Sequence, residues 1–490
     1  MEVWFPGLSY LVAGPRILLE NYKPGVPISI TTPETTYVHL SSPDHIRELV
    51  DAPEELLSLH ALSKDMFKPE YTMNGLVVQD DMQQNGNLHT RVFRVLLRSH
   101  LPALTDPLYR LLSAALEDRF NEAASLSAST SNMNGWSTLS TFEMSKKVVV
   151  VANARAFFGP RLASSTKFLE AALSYPEHLL TTAEVLRFIP RSLQSFVAPI
   201  LMRNQWASKI MVSHITAEIE RRRQQTSSNS NQAQNDVDCI QFFMDSTRTN
   251  TRKNGWSTEK IVQVLLGIWF AAVHQPAIAL VYALEDLCAH PQFADGIHEE
   301  ASALSTPSYE AIDSLPLLEA FIRESCRLHP SDSISIRRKV VSSEGGSDDK
   351  GEDVGRGYIF QDGTRLLQGD VVCVPSQAIM LDPHIYGKDS AEFNPGRFLR
   401  PAETVASTHV RNKFTELDPS YPIWGLGRHA CPGRYYASLV LKIALLHVLE
   451  KYDIKLGSSG PSELRKFQFR SSIVPKASAQ IMFRRRTLRN

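Results

Sequence analysis

The residues best suited to chemistry lie near the C-terminal end, in Trp424-Gly425-Leu426-Gly427-Arg428-His429-Ala430-Cys431-Pro432-Gly433-Arg434, directly before an apolar helical stretch. A cysteine at such a helix start meets free backbone N–H groups and the positive end of the helix dipole, and both favour the thiolate. Glycines on either side let the backbone come close to something flat or bulky. Pro432 fits near the first turn, where a missing N–H costs nothing. These conditions suit a metal-ligating thiolate; the plain alternative is a glycine-rich turn that happens to hold a cysteine. Gly425-x-Gly427-x-x-Ala430 also matches a dinucleotide-binding fingerprint, with Glu450 downstream. That fingerprint needs a preceding strand and an acid at the end of a second strand. Here DPSYPIW precedes it and Glu450 closes a helix, so the context fails.

Two further groups carry chemistry. In LLEAFIRESCRLHP, Glu324 and Arg327 are three apart on a helix and within pairing reach. Ala271-Ala272-Val273-His274-Gln275-Pro276 lies at the centre of the apolar run 264–284. His274 and Gln275 can both hydrogen-bond water, and an imidazole titrates near neutrality. Pro276 removes a helical N–H and leaves the carbonyl of Ala272 unpaired. Either a kink opens a groove there, or Gln275 satisfies the carbonyl while His274 points into another helix.

The elements that must position these groups are mostly helical. PISITTPETTYVHLS (27–41) reads as a hairpin, and helical periodicity dominates residues 43 to 325. Residues 224–235 and 342–357 are polar loops, and 357–375 looks like strand, turn and strand. A helix, YYASLVLKIALLHVLEKY, and strand-like FQFRSSIVP and AQIMF close the chain. The fold class is mainly α with small β-sheets, in one large domain at residues 20–490. Residues 1–19 form an apolar N-terminal segment, broken by Pro6, Gly7, Gly14 and Pro15, with no clean helical run and no transmembrane anchor evident. The 21-residue run 264–284 is long enough to span a bilayer, yet its polar pair and proline sit at mid-depth. A buried core helix fits it better.

Composition narrows the function. The 490 residues carry 52 Lys and Arg against 52 Asp and Glu, so the net charge is zero and a nucleic-acid partner is not indicated. Arg484, Arg485, Arg486 and Arg489 make a solvated tail rather than a recognition surface. Cys239, Cys288, Cys326, Cys373 and Cys431 form no C-x-x-C pair. The first four are expected to be buried, inert thiols in a reducing environment.

At the Cys431 loop the chain resembles the cytochrome P450 family. The family's haem loop has an aromatic residue, two glycines, a basic residue two before the cysteine and a glycine two after it. Trp424 (where Phe is usual), Gly425, Gly427, His429, Cys431 and Gly433 supply these. The resemblance implies that Cys431 is the axial thiolate on the iron of haem b, which favours O–O cleavage. It implies that His429 bonds a haem propionate. The indole N–H that Trp424 adds is a candidate for tuning the redox potential. Glu324 and Arg327, followed by Leu-His-Pro, resemble the family's buried Glu-x-x-Arg pair, with Arg397 of FNPGRF as the third, structural member. Arg337 or Arg338 falls where a second propionate partner is expected; the sequence does not choose, and Arg338 is the working candidate. An early Trp-x-x-x-Arg is not matched, and Arg91, Arg94 or Arg98 takes the basic role there.

By the same resemblance, 264–284 crosses the distal face of the haem, where the usual acid–alcohol relay is replaced by His274 and Gln275. Trp269, Phe270, Val273, Ser333, Ile336 and Ile473 would then line a substrate pocket. The implied function is a fungal-type monooxygenase of secondary metabolism, hydroxylating a lipophilic small molecule with dioxygen. NADPH electrons would arrive through a separate cytochrome P450 reductase, docked on a basic patch at Arg428 and Arg434. The alternative is a haem–thiolate enzyme with non-hydroxylating chemistry (oxidative coupling, ring rearrangement or dehydration), because Gln275 replaces the distal Thr. A monomer at the cytosolic face of the endoplasmic reticulum membrane, attached peripherally or through an anchor outside this sequence, is the implied setting.

Overall fold

The computed structural model describes residues 6–76, 98–128, 135–203, 205–227, 237–247, 256–302, 304, 307–341, 357–399, 413–457 and 466–486. The helices that matter below are α1 (Pro6–Asn21), α2 (Pro43–Asp51), α3 (Leu59–Phe67), α4 (Leu101–Ala128), α5 (Thr141–Phe158), α6 (Thr166–Arg187), α7 (Arg191–Arg203), α8 (Trp206–Ser227), α9 (Thr258–Ala289), α10 (Pro316–Leu328) and α11 (Arg434–Lys451). Four small sheets accompany them. Strands β1 (Ile28–Thr31), β2 (Thr36–His39), β3 (Leu57–Ser58), β5 (Ser335–Val340) and β8 (Val371–Val374) form a five-stranded sheet in the order β1-β2-β8-β5-β3. β4 (Ser137–Ser140), β9 (Tyr452–Leu456) and β12 (Gln480–Arg485) form a second sheet. β6 (Gly357–Ile359) with β7 (Arg365–Leu367), and β10 (Lys466–Phe469) with β11 (Ser472–Pro475), are hairpins.

The apolar run is the 32-residue central helix α9, started by the Ser257 side chain accepting from Lys260 N. It is apolar on nearly every side because α5, α6, α8, α10 and α11 pack around it. Trp269 meets Phe157 edge to face and Phe158 at a tilt where α5 meets α9. Such dense packing makes a one-methylene change costly, on the order of 1 kcal/mol.

Two local expectations change. Pro6–Asn21 is helical after all, with a break at Ala13 (φ −140°) just before Pro15. The break absorbs the clash that a mid-helix proline creates, and α1 buries Tyr10 against Tyr37 and His39. Cys288 is half-buried, whereas Cys239, Cys326 and Cys373 are buried. Burial pushes the Cys326 thiol up to about 12, which leaves it unreactive.

Candidate active site

The Cys431 loop is built by contacts that its glycines permit. Gly425 (φ 68°) and Gly427 (φ 60°) are left-handed. A Cβ on Gly427 would come within 2.3 Å of Val50 Cγ1, so only glycine lets α2 close on the loop. The loop then turns back on itself, with Cys431 N donating to Trp424 O at 2.7 Å. Arg434 ties it down by donating to Cys431 O at 2.8 Å and Thr415 O at 2.9 Å. Trp424 packs on Phe414 and donates its indole N–H to Phe414 O at 2.6 Å. That N–H is thus committed to a backbone carbonyl. Pro432 precedes the helix rather than entering it, and Gly433 is the N-cap of α11.

Burial pushes the Cys431 thiol above its ordinary value, while the N–H groups of Gly433 and Arg434 and the Arg434 charge pull it back. The second unusual group is Arg338. β5 alternates buried and half-buried residues, and its register shifts between Ser335 and Arg338. Ile336 sits at φ 50°, an unusual conformation for a β-branched residue, and this turns the two arginines apart. Arg337 pairs with Asp332 and reaches Ser471 Oγ at 3.1 Å. Arg338 is 3% exposed, and its guanidinium bonds Arg337 O at 2.7 Å with no carboxylate in ion-pair contact among the described residues. Burial lowers it to about 10, partly offset by Glu54. A buried guanidinium without a carboxylate calls for an anionic ligand. His429 lies on the same side, 3.3 Å from Glu54.

Glu324 and Arg327 are fully buried and bidentate, at 2.7 and 2.8 Å. Arg397 Nε donates to the same carboxylate at 3.0 Å, and Asn394 N at 2.8 Å. The remaining Arg327 donors reach Met380 O and Ser390 O, both at 2.6 Å. The structure thus assembles the three expected members, with spare donors satisfied on backbone carbonyls. Gly396 leaves room for an Asn394 side-chain turn.

The central helix departs from expectation. Asn153 on α5 donates to Ala272 O at 2.8 Å. The carbonyl freed by Pro276 is capped by another helix, so Gln275 does not fill it. His274 and Gln275 diverge. His274 is turned toward the charges of Lys146 and Glu177, on α5 and α6, and burial lowers its pKa. Its Nε2 has no hydrogen bond. Gln275 is exposed, on a stripe with Ile268, Ala271 and Ala279 at spacings of three and four. Trp269 and Val273, expected in a pocket, are fully buried on the opposite side, and Trp269 Nε1 donates to Ala172 O of α6 at 2.8 Å. Ile336 packs instead with Val38, Leu40 and Ile46 in the sheet core. Ser333 and Ile473 form a buried seam between the β5 entry and the β10–β11 hairpin, where Ser333 N bonds Ser471 O and Ile473 N bonds Ser331 O. Phe270 stays half-buried against Phe67 of α3.

Arg91 and Arg94 lie outside the described residues, whereas Arg98 stacks over Tyr435, 4.8 Å from the ring centroid. With Arg434, Gly427, Ala430 and Pro432 it lines a hollow of about 290 Å³ beside the cysteine loop. The sequence reading missed Asn153, Glu54 and the Ile268–Ala279 stripe. Only the stripe left a signal, as small residues among bulky ones at helical spacing.

A family profile described as cytochrome P450 matches residues 22–483. The chain is 25% identical to cytochrome P450 monooxygenase olcJ of Penicillium canescens, over 99% of this chain and 86% of that one. It is 25% identical to ent-kaurene oxidase of Gibberella intermedia, over 91% of this chain and 78% of the relative. A solved cytochrome P450DA heme domain superposes with a TM-score of 0.71 over 97% of this chain and 92% of its own, at 16% identity. At that identity the likeness speaks for the fold.

Proposed function

Because the chain belongs to the cytochrome P450 family, a family of haem-dependent monooxygenases, we propose that Cys431 is the axial ligand and that the enzyme hydroxylates a lipophilic small molecule. Two observations support this reading: Cys431 has its backbone fixed by Trp424 and Arg434, and the buried Arg338 has no carboxylate in ion-pair contact among the described residues. A cysteine at a helix start with backbone N–H groups beside it and a buried guanidinium needing an anion together suit an iron porphyrin with propionates. Bound haem supplies dioxygen activation and transfer of one oxygen atom, the other leaving as water.

The chain's own groups do the rest. Cys431 would hold the iron, Arg338 and His429 would take the propionates, and Glu324, Arg327 and Arg397 brace the segments behind them. Ile268, Ala271 and Ala279 present a small-residue apolar face to substrate, with Phe270 at its edge. Gln275 alone remains as a polar group on that face. Its amide donates and accepts hydrogen bonds but has no titratable proton, so it holds a water through which protons pass. His274 has no part in that relay. The capped Ala272 carbonyl and the missing distal alcohol keep the non-hydroxylating alternative open as the second reading.

NADPH electrons come through a separate reductase, whose acidic surface would suit Arg98, Arg428 and Arg434 beside the cysteine loop. On α7, Leu193, Phe196 and Ile200 are exposed at helical spacing, near exposed Phe188. This supports peripheral contact with a membrane, in our reading the endoplasmic reticulum. The fungal relatives suggest a secondary-metabolite substrate. Turnover with reductase, NADPH and isotopically labelled dioxygen tests the reaction: label in the product is the expected result. Consumption of dioxygen with an unlabelled, dehydrated or coupled product would select the second reading.

A further inference from the structure

Glu54 is a buried carboxylate that the reaction scheme does not use. It follows α2, the helix that Gly427 admits against the cysteine loop, and it is 5% exposed. Ser58 Oγ donates to its Oε1 at 2.8 Å and His60 N at 2.9 Å, so the carboxylate is held from behind. Its Oε2 faces His429 Nε2 at 3.3 Å. That imidazole nitrogen accepts from Arg428 Nε at 3.1 Å, so it does not also donate to Glu54, and Arg428 bonds Ala52 O as well. Arg338 feels Glu54 electrostatically without pairing to it. Burial pushes the Glu54 carboxyl up, but the His429 imidazole, the His60 N–H and the Ser58 hydroxyl outweigh it and hold it at about 2. The group is therefore a permanent negative charge at neutral pH, set among two arginines and two histidines.

We propose that Glu54 tunes the haem site electrostatically: its fixed charge, buried beside His429, keeps the iron's reduction potential below the value Arg338 and Arg428 alone would set. The proposal rests on Cys431 and Arg338 holding haem as inferred above. A negative charge near a haem stabilises the ferric state over the ferrous one, and groups that orient or charge the surroundings of a metal tune its potential. Glu54 also balances the arginines in the haem-free chain.

The test measures haem content, the ferrous–CO spectrum and the midpoint potential in wild type, Glu54→Gln and Glu54→Asp. Glu54→Gln keeps the shape and removes the charge; it is expected to retain the thiolate-type CO band and shift the potential upward. Glu54→Asp keeps the charge and is expected to stay near the wild-type potential. Full haem content and an unshifted potential in Glu54→Gln would overturn the proposal. If Glu54→Gln does not load haem, loading of Glu54→Asp at the wild-type potential supports the role of the charge. Failure of both, with unfolded circular dichroism spectra, would make Glu54 a folding residue only and overturn it. Absence of the thiolate band in wild type would instead defeat the haem reading beneath it.

Discussion

The loop around Cys431 and the turn around Pro276 face the same kind of task and solve it differently. In the loop, glycines with left-handed backbone, a folded-back Cys431 N–H and an arginine clamp leave the chain one arrangement. In the helix, a proline frees a carbonyl, and a residue more than a hundred positions earlier, Asn153, takes it. The first is fixed by neighbours in sequence, the second by neighbours in space. If Cys431 is the ligand, as proposed, a rigid loop beside a helix face held by distant partners suits an enzyme whose haem chemistry is constant and whose substrate differs.

The contrast breaks most severely at the buried ion cluster behind the loop. Arg327→Ala leaves Glu324 charged and underpaired in the core. The expected cost is about 3–5 kcal/mol, seen as loss of folded protein or a large drop in melting temperature. Next comes the distal helix. Asn153→Ala orphans the Ala272 carbonyl at about 1–3 kcal/mol. Pro276→Ala in that background returns an N–H to the carbonyl, so the double variant should recover much of the loss. Strict additivity in this cycle would show that Asn153 and Pro276 are not coupled.

Gln275→Ala should lower product formed per NADPH by about fivefold, the worth of one hydrogen bond of about 1 kcal/mol to an ordered water. His274→Gln should leave that ratio unchanged, since His274 faces Lys146 and Glu177. The smallest effect is a pH slope. Burial lowers the His274 pKa in the folded chain, whereas the unfolded chain takes a proton as pH falls through about 6.5. The unfolded state then binds more protons, so stability declines on the acid side, by at most about 1.4 kcal/mol per pH unit. His274→Gln should flatten that part of the unfolding curve, and an unchanged slope would place the imidazole elsewhere.

The same contrast explains what the chain disclosed before its structure was known. The cysteine loop, the Glu324–Arg327 pair and Arg397 were legible because their function is written in spacing and backbone demand. The hairpin at 27–41 and the buried character of α9 followed from periodicity. Which way the α9 side chains point did not: an apolar helix covered on nearly every side gives no moment to orient it. Trp269 and Val273, expected along a pocket, are fully buried instead, Trp269 against α6. Arg338 could not be separated from Arg337, because strand alternation puts the two on opposite faces without saying which face is buried. Glu54 was out of reach, since a lone glutamate reads as surface until its neighbours are known.

The central claim is that Cys431 is the thiolate on haem iron. Its most direct test is the ferrous–CO absorption spectrum of the folded, haem-loaded chain beside that of Cys431→Ser. The account expects a red-shifted, thiolate-type Soret band in the wild type and its loss in the variant with the fold retained. A wild type that binds haem without that band, or a Cys431→Ser protein that keeps it, would contradict the account.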